Sequence, residues 1–409
     1  MKPRRIRPVE EAPKAPTVVL AMMVKNERHV IRRALESALP VLSRFVLVDT
    51  GSSDDTLDIA REVLEGREGE IVARPWVSYG HNRTELAGLA RELGDWLLFL
   101  DADEVVQWGG EVPDFTADGY EVVVSTGPIL TTKVALVRTS LPWAYVGDLR
   151  EVLVCEEPHR IDPSEWFRIV HYADGAESRR DPYERRIEEA ELLRAALAER
   201  PEDGRLAFHL AEALHQAGDL QGAIAAYEHR VALGGRDEET YGALLAIAKL
   251  HDHRARLGAK PGIDQAARIA GLYLRAYAFR PSRPEAAVEL ARHFREHGRP
   301  EAATLFAERA LSMPCVRERR HGDRHGVDQS VLDWRTHNES ALTAYELGDY
   351  ARAVSLWTEM LDRVPEELRA GAAENLRLAK ERLEHGANRG SPLRRRDRTE
   401  AEGRGTLVP

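Results

Sequence analysis

The stretch that most constrains this chain is Gly94-Asp95-Trp96-Leu97-Leu98-Phe99-Leu100-Asp101-Ala102-Asp103-Glu104. Five consecutive apolar residues, Trp96 to Leu100, are too short for a membrane span and suit a strand buried on both faces of a parallel sheet. The strand runs directly into three carboxylates, Asp101, Asp103 and Glu104. Ligands of open α/β sheets lie beyond the carboxyl ends of the strands, so these acids fall where a ligand would bind. If the chain stays extended, Asp101 and Asp103 point the same way, with small Ala102 between them. Two convergent carboxylates with no basic neighbour in sequence fit a divalent cation, Mg²⁺ or Mn²⁺, whose shell water and substrate phosphates complete. The competing reading is a strand that ends in an Asp-rich turn. Asp-x-Asp by itself does not choose between the two.

The residues before it supply a frame. Thr17 to Val24 reads as a buried strand ending at Lys25-Asn26-Glu27, followed by a helix over 28–39 that Pro40 closes. A second apolar strand, 44–48, ends at Asp49. Gly51-Ser52-Ser53-Asp54 then leads into a helix, with Ser53 or Asp54 as its N-cap. A short strand over 70–73 and a helix over 82–93 precede the acidic strand. This alternation predicts a parallel, doubly wound sheet. Beyond Glu104, strands are expected at 120–124, 133–137, 143–147, 152–154 and 166–170, the last delivering His171.

From Pro182 the chain turns rich in Ala, Leu, Glu and Arg, and a repeat emerges. Ala207–Leu214, Gly218-Asp219 and Ala223–Tyr227 share a design with Ala287–Phe294, Gly298 and Ala302–Ala310. Ala341–Tyr345, Gly348-Asp349 and Ala351–Leu361 follow it too. Small residues at helix crossings, a Gly-Asp turn and an aromatic in the second helix match the tetratricopeptide pattern. The organisation read from sequence is a disordered lead (1–15), a sheet domain (16–176), a helical repeat domain (182–386) and a disordered tail (388–409). A net charge of -10 argues against nucleic acid as a main partner. Two distant cysteines and no apolar run of membrane length predict a cytoplasmic protein without a membrane span. A homodimer stays open.

Set in order, Asn26-Glu27, Asp49 with Gly51-Ser52-Ser53-Asp54, and Asp101-x-Asp103 resemble the family 2 glycosyltransferases of the GT-A fold. The likeness covers about residues 16–175, and the helical repeats add to it, since the family includes tetratricopeptide-bearing, peptide-modifying members. The family's run of Asp-Thr-Gly-Ser-x-Asp-x-Thr and its Asp-Ala-Asp-Glu are both kept. Asn82 holds one place of the family's Arg-Asn pair, with His81 where Arg is usual. The resemblance implies a GT-A (Rossmann-like) nucleotide-sugar domain ahead of a tetratricopeptide-like one. It also implies transfer of a hexose, inverting in the family's manner, from a nucleotide-diphosphate sugar (a UDP-sugar) to a polypeptide or glycan acceptor.

Each position then has a stated chemistry. Asp49 can accept the imide N–H of uracil. Gly51 and the hydroxyls of Ser52 and Ser53 let a ribose or phosphate approach, and Asn26, Glu27 and Asn82 complete the donor site. Asp101 would face ribose or metal, and Asp103 would coordinate the metal, with His171 either completing that pair or serving as a structural hydrogen-bonded histidine. The cation neutralises charge on the leaving diphosphate. In Trp143-Ala144-Tyr145-Val146-Gly147-Asp148-Leu149-Arg150-Glu151 the family's His-Glu pair becomes Arg150-Glu151. Glu151 is the candidate base with Asp148 behind it, and Arg150 the candidate diphosphate contact. Arg83, Lys133 and Arg138 could counter phosphate charge. His81 and Arg150 motivate an alternative, a tetratricopeptide scaffold carrying an inactive transferase domain. A nucleotidyltransferase would need a Gly-rich basic loop where Met22–Glu27 stands.

Overall fold

The computed structural model describes residues 16–110, 114–147, 149–257, 262–318 and 326–387. The expected lead, the expected tail and Asp148 lie outside the described residues. The chain divides into two compact units. The first runs to Pro182 apart from Pro128–Leu130, and the second comprises that tripeptide with Tyr183 onward.

In the first unit the opening elements are β1 (Val18–Val24), α1 (Ile31–Ala38), β2 (Arg44–Asp49), α2 (Thr56–Val63), β3 (Glu68–Ala73), α3 (Tyr79–Arg91) and β4 (Trp96–Phe99). Alternation explains why β1 is apolar throughout. Val18, Leu20, Met22 and Val24 pack into one core with Ile31, Ala34 and Leu35 of α1. Val19 and Ala21 enter the opposite core with Leu86, Ala87 and Ala90 of α3. Strand β1 pairs in parallel with both β2 and β4, Ala21 standing opposite Val46 and Phe99. The carboxyl ends of three strands are thereby aligned on one edge.

The sheet is not parallel throughout. The later strands are β5 (Glu104–Trp108), β6 (Gly119–Thr126), β7 (Ile129–Arg138), β8 (Ala144–Val146), β9 (Val152–Val154), β10 (Ile161–Pro163) and β11 (Phe167–His171). The order is β3-β2-β1-β4-β7-β6-β11-β5, with β4–β7 and β11–β5 antiparallel and β11–β6 parallel. Neighbouring strands β6 and β7 are separated in sequence only by Gly127 and Pro128, too few residues for the crossover that parallel pairing demands. Strands β5 and β10 were not expected from the sequence. Strand β8 pairs with β9 in a separate ladder. Helix α3 starts three residues earlier than expected, at Tyr79, where the Ser78 hydroxyl accepts from the His81 N–H at 3.2 Å. The N-cap of α2 is Asp55, not Ser53 or Asp54, although the Asp54 carboxylate does accept from the Thr56 N–H at 3.1 Å.

The second unit is helical, and its turns are those the repeat predicted. Helix Gly204–Gln216 is followed by Leu220–Leu233, Glu285–Glu296 by Pro300–Leu311, and Thr336–Glu346 by Tyr350–Met360. Gly218, Gly298 and Gly348 take left-handed φ values of 82°, 70° and 83° at the three turns, which favour glycine. Asp219 and Asp349 then cap the following helices, accepting from Gly222 at 2.8 Å and Arg352 at 3.1 Å. Ala207, Ala211, Ala223, Ala287, Ala303 and Ala341 are fully buried, letting backbones approach at the crossings. Among the described residues no helix is long and apolar enough to cross a membrane.

Candidate active site

Just past β1, Asn26 adopts a left-handed backbone (φ 58°), which Asn tolerates better than most residues. That bend docks it on the loop after β2. The Asn26 N–H donates to Ser52 Oγ at 3.0 Å, and its Oδ1 accepts from the Ser53 N–H at 2.8 Å. The Glu27 N–H donates to Thr56 Oγ1 at 2.7 Å. Asp49, ending β2, is buried, and one of its oxygens accepts from the Ser52 N–H at 2.9 Å. No hydrogen bond among the described residues reaches its Oδ2. Gly51 (φ 108°) has open space where a side chain would project, as a site that admits a ligand to its backbone requires.

Beyond β4 the chain does not stay extended. The Glu104 N–H donates to the Asp101 carbonyl at 3.0 Å, and the Asp101 N–H donates to Glu104 Oε2 at 2.9 Å, closing a turn. Nor are the acids without basic neighbours in space. Arg83 Nη2 lies 2.6 Å from Asp101 Oδ1, and Lys133 Nζ is 2.7 Å from Glu104 Oε1. Burial works to raise the Asp101 carboxyl, but Arg83 and Lys133 outweigh it and hold the group at about 2. Burial pushes the Glu104 carboxyl above its ordinary range, with Lys133 opposing. Arg83 also reaches Glu151, Nε to Oε1 2.8 Å. That contact is an ion pair without hydrogen-bond alignment, since Nε has no well-directed acceptor.

Asp103 faces His171, with Oδ2 3.2 Å from Nε2, while Nδ1 lies 3.2 Å from Thr126 Oγ1. The Asp103 carboxylate raises the imidazole above its ordinary value. The segment after β11 ties two acids together: the Gly175 N–H reaches Asp103 Oδ2 at 3.4 Å, and the Ala176 N–H donates to Glu27 Oε2 at 2.8 Å. Burial lifts the Glu27 carboxyl. A continuous chain of contacts thus runs from Asp49 through Ser52, Asn26, Glu27 and this strap to Asp103 and His171. Among the described residues no set of three or more His, Cys, Asp or Glu side chains is spaced to hold a metal ion. The Asp103–His171 separation does fit two adjacent ligands of one octahedral cation, which at bond lengths of about 2.1 Å lie roughly 3 Å apart. An imidazole is a poor ligand for Mg²⁺, so the pair favours the softer Mn²⁺.

Other expectations meet different surroundings. Asn82 is not presented to a donor: it is fully buried, its Oδ1 accepting from the Val77 N–H at 2.9 Å and its Nδ2 donating to the Pro75 carbonyl at 3.0 Å. It clamps the loop ahead of α3. Arg150 is exposed, with a left-handed φ of 54°. The residue underrated by sequence is Arg83. It stands three and four residues before buried Leu86 and Ala87 of α3, so a cation on that helix's apolar stripe was the available signal.

Residues 20–123 match the family model described as glycosyl transferase family 2, and residues 183–233 match a tetratricopeptide repeat. Residues 20–123 thus form a domain similar to the family 2 glycosyltransferases. This domain is similar to an uncharacterized glycosyltransferase of Rickettsia felis, 31% identical over 83 residues, covering 20% of this chain and 27% of that one. A TPR repeat-containing protein of Synechococcus elongatus is 28% identical over 228 residues, 50% of this chain and 54% of its own. The chain therefore spans about half or less of these relatives. A solved thermophilic TPR protein of Thermus thermophilus aligns with 47% of this chain and 91% of its own at 17% identity and a TM-score of 0.35.

Proposed function

We propose that the chain is a metal-dependent, inverting glycosyltransferase that moves a hexose from a UDP-sugar to a polypeptide or glycan acceptor, with the helical repeats recruiting that acceptor. The observation that carries this reading is the edge shared by β2, β1 and β4. There a buried Asp49 with an uncommitted oxygen and the Asp101–Asp103 turn are joined through one run of contacts. Asp49 Oδ2 is the acceptor for the uracil imide, and Gly51, Ser52 and Ser53 give the ribose and phosphates close access to backbone. Asp103 and His171 would hold the cation, which supplies Lewis-acid neutralisation of the departing diphosphate. Glu151 takes the proton from the acceptor hydroxyl or thiol as the acceptor atom bonds to the sugar's anomeric carbon. The bond from that carbon to the phosphate oxygen breaks, and nucleoside diphosphate leaves with its electron pair.

The test is titration of the full chain with a panel of nucleotide sugars, with and without Mn²⁺, alongside measurement of nucleoside diphosphate release. Donor binding should require Mn²⁺ and be lost in Asp103→Ala. Binding that Asp103→Ala leaves intact, or no binding of any donor, overturns the reading and favours the inactive-domain scaffold.

A further inference from the structure

We propose that Arg83 is a positioning residue, one guanidinium that fixes the candidate base Glu151 against the donor-side carboxylate Asp101; the inference rests on the transferase reading above. The two acids belong to different parts of the domain. Asp101 follows β4, whereas Glu151 ends the loop between β8 and β9. Arg83 is the cation that touches both, at 2.6 Å and 2.8 Å, and only 16% of its side chain is exposed.

The helix that carries Arg83 is itself registered on the β8 loop by two contacts. Thr84 Oγ1 accepts from the Tyr145 N–H at 2.9 Å and donates to the Tyr145 carbonyl at 3.2 Å. Gly80 lies so close to Gly147 that a Cβ would sit 2.1 Å from the Gly147 carbonyl oxygen. Between that anchor and Glu151 the backbone passes through left-handed Gly147 (φ 102°) and Arg150 (φ 54°). At the far end of that stretch the Arg83–Glu151 ion pair holds Glu151 against α3. The planar guanidinium can serve two carboxylates at once through different N–H edges, which the compact ammonium of lysine cannot do across the same gap. Base and donor are thus set at a fixed separation before substrate arrives, and misplacement by about 1 Å is enough to lose about 100-fold in rate.

The experiment uses the full chain, Mn²⁺ and UDP-glucose, or another donor that the panel selects. It reads donor dissociation constants by calorimetry and kcat for donor hydrolysis by water. Arg83→Lys should bind donor within about threefold of wild type yet lose about 100-fold in kcat. Glu151→Gln should do the same, and the double variant should lose no more than either single one, because the two act as a unit. A merely structural Arg83 would instead weaken binding and turnover together and multiply with Glu151→Gln. Arg83→Lys with hydrolysis within threefold of wild type, or a multiplicative double variant, overturns the proposal. Should Arg83→Lys fail to fold, Arg83→Gln is read in the same way: hydrolysis within threefold of wild type overturns the proposal, and a loss of about 100-fold with donor affinity unchanged upholds it. An inactive wild type overturns the transferase reading beneath, whereas an active wild type with unimpaired variants overturns this inference alone.

Discussion

Removing the amine from Lys133 tests how the acidic turn is held. Glu104 is 4% exposed, and Lys133, with 30% of its side chain exposed, is the cation against it. In Lys133→Met the carboxylate keeps the Asp101 N–H but loses its counter-charge beside the Asp101 carboxylate. Breaking a buried ion pair from one side costs about 3–5 kcal/mol, and the partial exposure of Lys133 places this case near about 3. Protonation limits the loss. A lone buried Glu104 has a folded-state pKa above its unfolded value of about 4.3, so the folded variant binds a proton that the unfolded chain does not. Its stability therefore rises as the pH falls through that raised value. Taking a proton costs about 1.4 kcal/mol per pH unit above 4.3, which caps the loss at about 4 kcal/mol at pH 7.5 but below about 2 at pH 5.5. Urea unfolding followed by tryptophan fluorescence at both pH values measures this, because Trp96, Trp108 and Trp166 pack in or against the same core. Adding Glu104→Gln, which still accepts from the Asp101 N–H, should recover about 2 kcal/mol at pH 7.5. A Lys133→Met loss under about 0.5 kcal/mol, or one equal at the two pH values, refutes the reasoning.

Three further outcomes follow from the same geometry. Asn82→Ala leaves the part-buried Val77 N–H and Pro75 carbonyl without their side-chain partner and should cost about 1 kcal/mol, read as a melting temperature lower by about 2–4 °C. Gly80→Ala places a methyl against the Gly147 carbonyl and should destabilise by about 1–3 kcal/mol while cutting turnover, since backbone on both sides must move; unchanged melting and turnover would show that the gap opens freely. Arg83 lowers the Asp101 carboxyl to about 2, so this pair stabilises the fold above about pH 4 and the contribution disappears as the pH falls toward 2. Because 35% of the Asp101 side chain reaches solvent, the contribution is discounted to about 1 kcal/mol, and acid titration of Asp101→Asn should lack that portion of the acid limb.

What could be read in the sequence is what local physics fixes. The unbroken apolar run of Val18–Val24 and the Gly-Asp turns of the repeats each follow from a few adjacent residues. The geometry of Asp101 and Asp103 did not, because it depends on the Glu104 side chain folding back onto the Asp101 N–H and on Lys133, 29 residues away, holding that carboxylate. The strap to Glu27 comes from Ala176, 149 residues away, and no periodicity encodes such a contact. Yet the sequence carried a usable signal for the charges themselves. In sequence Lys133 alternates with apolar Ala135 and Val137, both buried, and Arg83 shares its helix stripe with Leu86, Ala87 and Ala90. A buried cation costs several kcal/mol unless an anion meets it. A basic residue in phase with an apolar pattern therefore predicts a buried acid opposite, and the carboxylates expecting such partners in this domain were already named: Asp101, Glu104 and Glu151.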